Sequence, residues 1–231
     1  MDHKEQTNAR IKANFYRNLI IVLTPIFLVV GLLSLQLLPF MIGLIVIVIW
    51  LLYPHYIMWS RGATGEESIS EVLDNLKNDY LVVNDALLPG NKGNIDHIVI
   101  GRNGIFVIET KSHKGHIICE GDYWIQQKIG RRGTLYEPYI GSPSKQVKKN
   151  AIVLRDFLKD NYPKLSHVWI DCIVVFTDMT TTIEQKNPTV AVLRTWEVQN
   201  YIRNNKSKID ISQDDFYKLE TIFRDVKQKS I

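Results

Sequence analysis

Three residues near the middle of the chain, Asp96, Glu109 and Lys111, have the types and spacing for phosphoryl chemistry. Two carboxylates can hold a hard divalent cation through oxygen. A lysine two residues from the second can orient a nucleophile or offset developing negative charge. Side chains alternate faces along a strand, so Glu109 and Lys111 share one if that stretch is extended. The turn before them decides where Asp96 points. With Asn103-Gly104 as a two-residue loop, Asp96 lies opposite Lys111. With residues 101–104 as a four-residue loop, Ile100 pairs with Ile105 and Asp96 lies opposite Glu109. Both registers put the three side chains on one face, and only an odd-length turn splits them.

That face otherwise carries Ile98, Ile100, Ile105 and Val107, and the other carries Ile95, Val99, Phe106 and Ile108. A strand pair apolar on both faces is buried on both. Two carboxylates at the end of such a pair are costly to desolvate, and their repulsion raises a pKa. A cation such as Mg²⁺ or Mn²⁺ relieves both. The plainer alternative is a buried ion pair with a spare acid. His97, His113 and His116 flank the hairpin without zinc-site spacing.

Elements that position these residues follow from periodicity and punctuation. Residues 65–77 read as a helix, with Ile69, Val72, Leu73 and Leu76 on one stripe. Strands are expected at 80–84, 95–100, 105–110, 115–119 and 123–128. Ser142 followed by Pro143 is a cap and first helical residue. That helix runs to about residue 159, with Val147, Ala151, Leu154 and Leu158 inward. Residues 167–176 form an apolar, central strand, and 190–193 a further one. Helices at 195–204 and 212–229 close the chain, Asp214 and Asp215 favouring the dipole of the last. The class is α/β, a sandwich of a mixed sheet flanked by helices.

Asp96, a spacer, then Glu109-Thr110-Lys111 resembles the PD-(D/E)xK motif of the restriction-endonuclease-like fold. More narrowly, Gly93-Asn94-Ile95-Asp96-His97-Ile98-Val99 and Gly104-Ile105-Phe106-Val107-Ile108-Glu109-Thr110-Lys111 resemble the nuclease-related domain (NERD) family. Gly65-Glu66, Gly115, Pro143 and Gln146 are similar to that family as well, over residues 62–158. The position before Asp96 is Ile rather than Pro. The resemblance implies metal-dependent phosphodiester hydrolysis. Asp96 and Glu109 would hold Mg²⁺ or Mn²⁺, and Lys111 would orient water or offset charge. Glu66 would be an additional ligand or a support behind the ligands, and Gln146 would approach the site or a phosphate. Lys145 and Lys149, with Lys148, Arg155, Lys159, Lys128, Arg131 and Arg132, give a basic surface that is either solvated or tracks phosphates.

The N-terminal part is of another kind. Between Arg17 and Arg61 there is no Asp, Glu, Lys or Arg. Residues 18–38 and 40–58 are apolar runs, each close to the ~20 residues that a membrane-spanning helix needs, with Pro39 marking the break. Trp50, Tyr53, Tyr56 and Trp59 suit an interfacial belt. The expected organisation is a flank at 1–17, a transmembrane hairpin at 18–59 in contact with the bilayer, and a nuclease-like domain at 60–231. Lys4, Arg10, Lys12, Arg17 and Arg61 lie at the outer ends, which puts both termini and the domain in the cytoplasm. Of the 28 basic and 24 acidic residues, 23 and 22 follow Arg61, so the domain is near neutral and carries no nucleic-acid charge signature. Cys119 and Cys172 sit in apolar runs without paired spacing and read as reduced thiols.

Two function classes remain. One is a nuclease acting on DNA or RNA at the cytoplasmic membrane face. The other is a non-catalytic nuclease fold that binds nucleic acid or a protein partner there. Transport finds no support, because the spans hold no charge.

Overall fold

The computed structural model describes residues 7–76, 79–91, 93–130, 133–206, 209 and 211–228, the side chains of 225, 227 and 228 apart. Residues 1–6, Lys77, Arg131, Arg132 and Lys229, which enter the expectations above, lie outside them. The chain divides into two compact units, Met1–Glu67 and Ser68–Ile231.

In the first unit, α1 (Asn8–Leu33) starts at Thr7, whose hydroxyl accepts from the Arg10 amide at 3.2 Å. The four residues after Leu33 break the helix, and α2 (Leu38–Asp74) follows. Pro39 therefore does not separate the two helices but sits in the first turn of α2, where its missing N–H has no helical acceptor to lose. Nor does a new helix begin at residue 65. α2 continues through Gly62 and Gly65, because a lone glycine costs a helix only about 1 kcal/mol and no proline falls there. The Arg10 guanidinium donates to both Glu67 oxygens, at 2.8 and 2.5 Å. Both helices are long and apolar enough to cross a membrane.

The second unit is built on a five-stranded sheet in the order β1-β2-β3-β7-β9. Its strands are β1 (Tyr80–Ala86), β2 (Ile95–Gly101), β3 (Gly104–Lys111), β7 (Ile170–Phe176) and β9 (Ala191–Arg194). β1, β2 and β3 are antiparallel, while β7 and β9 run parallel to β3. The mixed sheet thus has helices on both faces. On one, Ile98, Ile100, Ile105 and Val107 pack with Val147, Leu154 and Leu158 of α3 (Pro143–Asn161). On the other, Val99, Phe106 and Ile108 pack with Ile69 and Leu73 of α2 and with Val198 and Ile202 of α4 (Val198–Asn204). α5 (Gln213–Gln228) closes the first face through Leu219 and Phe223.

A second sheet has the order β6-β5-β4-β8; β4 and β5 match the strands expected at 115–119 and 123–128, while β6 and β8 have no counterpart among the expected elements. It comprises β4 (His116–Glu120), β5 (Tyr123–Ile129), β6 (Leu135–Tyr136) and β8 (Thr182–Lys186). β6 has two residues and β8 reads Thr-Ile-Glu-Gln-Lys, so neither carries an apolar run that periodicity could register. The sheet turns Ile117, Cys119 and Trp124 into the α3-side core. Cys119 is buried, Cys172 is half-buried, and both are free thiols.

The candidate active centre and its family

β2 and β3 pair with Ile100 opposite Ile105 and Gly101 opposite Gly104. Of the two expected registers this is the second, but pairing runs one step further and leaves Arg102-Asn103 as the loop. One step the other way, the same register sets Asp96 across from Glu109. The turn is tight against its neighbours: a Cβ on Gly101 would stand 2.2 Å from the Tyr80 ring. The Asn103 amide donates to the Ile202 carbonyl at 2.6 Å and so fastens the turn to α4.

At the opposite end of the hairpin the chemistry gathers. Glu109 is 1% exposed. Its Oε1 accepts from Lys111 Nζ at 2.5 Å. Lys111 Nζ also donates to Gln146 Oε1 at 3.2 Å, so the first turns of α3 meet the end of β3. Asp96 Oδ2 accepts from the backbone amide of Thr110 at 2.7 Å. Asp96, Glu109, Lys111 and Gln146 therefore occupy one place. Burial first, and the Glu109 charge second, push the Asp96 carboxyl up to about 8, against the pull of the Thr110 amide and Lys111. An acid held neutral by its surroundings is one that a cation would ionise.

The surrounding elements explain why these side chains stay in register. The Lys111 carbonyl accepts from the Thr177 amide at 3.0 Å, which ties the ends of β3 and β7 together. The second sheet pins the start of α3. Ser142 Oγ accepts from the Lys145 amide at 3.3 Å and donates to the Asp122 carbonyl at 2.7 Å. The Asp122 carboxylate takes Lys148 Nζ on both oxygens at 2.8 Å and the Thr189 hydroxyl at 2.5 Å. Those bonds hold Asp122 well below the usual carboxylate range. The Trp124 indole donates to Ser144 Oγ at 3.0 Å, in the same first turn.

Other expected residues fare differently. Lys148 is not a member of an open basic face, because Asp122 engages it. Lys145 and Lys149 are exposed on α3, and among the described residues no side-chain contact joins them to the centre. Glu66 is half-buried and belongs to the first unit. His97 is buried, with Nδ1 at 2.9 Å from Asn84 Oδ1, and burial lowers it to about 3. His116 meets Thr182 at 2.8 Å.

Two asparagine contacts went unread in the sequence. The Asn94 amide donates to the Asp85 carboxylate at 2.7 Å and to its carbonyl at 3.3 Å, where Asp85 adopts a left-handed φ of 55°. The Asn91 amide donates to Asn150 Oδ1 at 3.3 Å. Asn150 lies four residues after Gln146, a helical spacing that signals a shared side of α3.

A mixed sheet whose central hairpin presents two acids and a lysine beside a helical glutamine defines a nuclease-related class of protein. The chain belongs to the nuclease-related domain (NERD) family, whose pattern matches residues 61–177. An uncharacterized protein of Bacillus anthracis is 31% identical over 91 residues, which are 37% of this chain and 42% of that protein. The chain thus aligns with less than half the length of that curated relative. No solved structure matches.

Proposed function

We propose that this protein is a membrane-anchored, metal-dependent nuclease that hydrolyses phosphodiester bonds of DNA or RNA at the cytoplasmic membrane face. The observation that carries the reading is the meeting of Asp96, Glu109, Lys111 and Gln146 at one end of the β2–β3 hairpin. A structural ion pair would account for Glu109 and Lys111, but not for a second acid kept beside them at the cost of its charge.

The donor set fits Mg²⁺ or Mn²⁺. Asp96 and Glu109 offer hard carboxylate oxygens, and among the described residues no group of three or more His, Cys, Asp or Glu assembles. Mg²⁺ is commonly held by one or two carboxylates, with waters and substrate phosphate completing its shell. When bound, the cation lowers the pKa of a water and neutralises charge on the scissile phosphate. Lys111 would orient the attacking water or offset charge on the phosphate oxygens. Gln146 holds the ammonium from the α3 side, and Glu109 holds it from the β3 side. Lys145 and Lys149 would steady the neighbouring backbone as solvated cations.

The anchor rests on two helices of 26 and 37 residues, each with an 18-residue stretch of mean hydropathy 2.0 and 2.1 respectively. Lys and Arg at their outer ends support a cytoplasmic placement of both termini.

The test is the full chain in detergent with single- and double-stranded DNA and RNA, in Mg²⁺ or Mn²⁺ against EDTA. Cleavage that EDTA and Lys111→Ala both abolish is the expected result. Cleavage untouched by Lys111→Ala would locate the activity elsewhere. Salt-sensitive binding without cleavage would favour a non-catalytic module.

A further inference from the structure

Asn150 is a buried amide whose contacts are incomplete. It is 5% exposed and sits on α3 one turn beyond Gln146. Its Oδ1 accepts from Asn91, in the loop that leads into β2, at 3.3 Å. Its Nδ2 is buried and has no hydrogen-bond partner among the described residues. A buried donor without an acceptor is costly, and native structures rarely keep one idle. The Asn91 bond fixes the amide so that the donor is held in one orientation before any ligand arrives.

The setting indicates what it waits for. Four residues along a helix rise about 6 Å, so Asn150 stands one step along α3 from the Gln146–Lys111 contact. Lys145 and Lys149 run beside that pair at the same spacing and are exposed. The side of α3 next to the centre therefore offers amides and ammonium groups. A phosphodiester backbone is an acceptor-only partner that repeats along its length, and it suits such a row.

We propose that Asn150 donates its amide hydrogen to the phosphate next to the one held at Lys111, and so sets the register of the strand. This rests on the nuclease reading and narrows it. The substrate is a polynucleotide with at least two consecutive phosphates, not an isolated phosphodiester. Asn91 is a positioning residue that acts through Asn150.

The test compares a short oligonucleotide with bis(p-nitrophenyl) phosphate, which has a single phosphate, using the full chain in detergent and Mn²⁺. Asn150→Asp, which replaces the donor by an anion at constant size, should raise KM for the oligonucleotide by about tenfold or more while kcat moves less. The loss of kcat/KM on bis(p-nitrophenyl) phosphate should be several-fold smaller. Asn150→Ala should behave alike, and Asn91→Ala should reproduce part of the KM rise. Equal losses on both substrates, or an unchanged KM, overturn the proposal. So does a fall in Tm that accompanies kcat and KM moving together, since that marks a purely structural role. If the wild type cleaves neither substrate, the nuclease reading fails on its own. Fluorescence anisotropy of a labelled oligonucleotide in Ca²⁺ then decides on Asn150. Binding weakened about tenfold by Asn150→Asp upholds the contact, and absent or unaltered binding removes it.

Discussion

At the residue scale, the centre is a balance between two acids and one ammonium group. Lys111 sits 2.5 Å from a carboxylate that is almost fully buried. Lys111→Ala removes the ammonium that offsets the Glu109 charge at 2.5 Å, so a cation should bind more tightly to the variant. Cleavage should nonetheless fall by about 100-fold or more. Calorimetric Mn²⁺ titration beside a cleavage assay separates these two effects, and weaker metal binding in the variant would contradict the arrangement. Asp96 gives a second expectation. Its carboxyl is raised towards about 8 by burial and by Glu109, so below that pH a cation must displace a proton to bind. Mg²⁺ affinity should therefore climb with pH by up to about tenfold per unit and level off above about 8, as isothermal titration would show. An affinity flat across neutral pH would mean that Asp96 is already ionised without metal.

At the element scale, β2 and β3 carry the candidate centre and the start of α3 forms a wall against it. Asp122 holds that wall through Lys148 and Thr189 while standing outside the centre. Asp122→Ala should lower kcat several-fold through a misplaced Gln146, with metal affinity retained. Mn²⁺ titration and kinetics on the same preparation check this, and an unaltered kcat would show that α3 needs no such support. Much of this scale was legible beforehand. Strict alternation in β2 and β3 gave the shared face of Asp96, Glu109 and Lys111, and Ser142-Pro143 gave the start of α3. The side chain of Gln146 could be linked to the site only as a resemblance, because its contact with Lys111 crosses 35 residues of sequence. The exact turn was ambiguous because Gly101 and Gly104 both suit a loop end, and the Tyr80 ring that crowds Gly101 comes from another strand. β6 and β8 were hidden by their brevity and polarity. Asn150 was passed over because asparagine inside a helix has no periodic signature.

At the scale of the whole molecule, apolar surface and near-neutral charge set the behaviour. Ile21, Val29, Leu33, Phe40, Val46 and Trp50 are all exposed on α1 and α2, which is the pattern of helices that need a non-aqueous solvent. The protein should stay with membranes in alkaline carbonate, as fractionation and blotting would show. Its release into the soluble fraction would remove the anchor from the proposal. With 23 basic against 22 acidic residues after Arg61, the domain has little long-range field to gather nucleic acid.

The parallel pairing of β3 with β7 has a consequence for the order of assembly. Lys111 ends β3 and Ile170 opens β7, so 58 residues lie between strands that must meet side by side. Closing a loop of that size costs roughly 3–4 kcal/mol of chain entropy before any contact repays it. The β2–β3 hairpin, by contrast, closes over two residues and can form as soon as it leaves the ribosome. A chain emerging from synthesis thus holds both acids and the lysine long before α3 can bring Gln146 to them. The centre is therefore completed in two stages, the hairpin first and its contact with Gln146, 35 residues further on, after it.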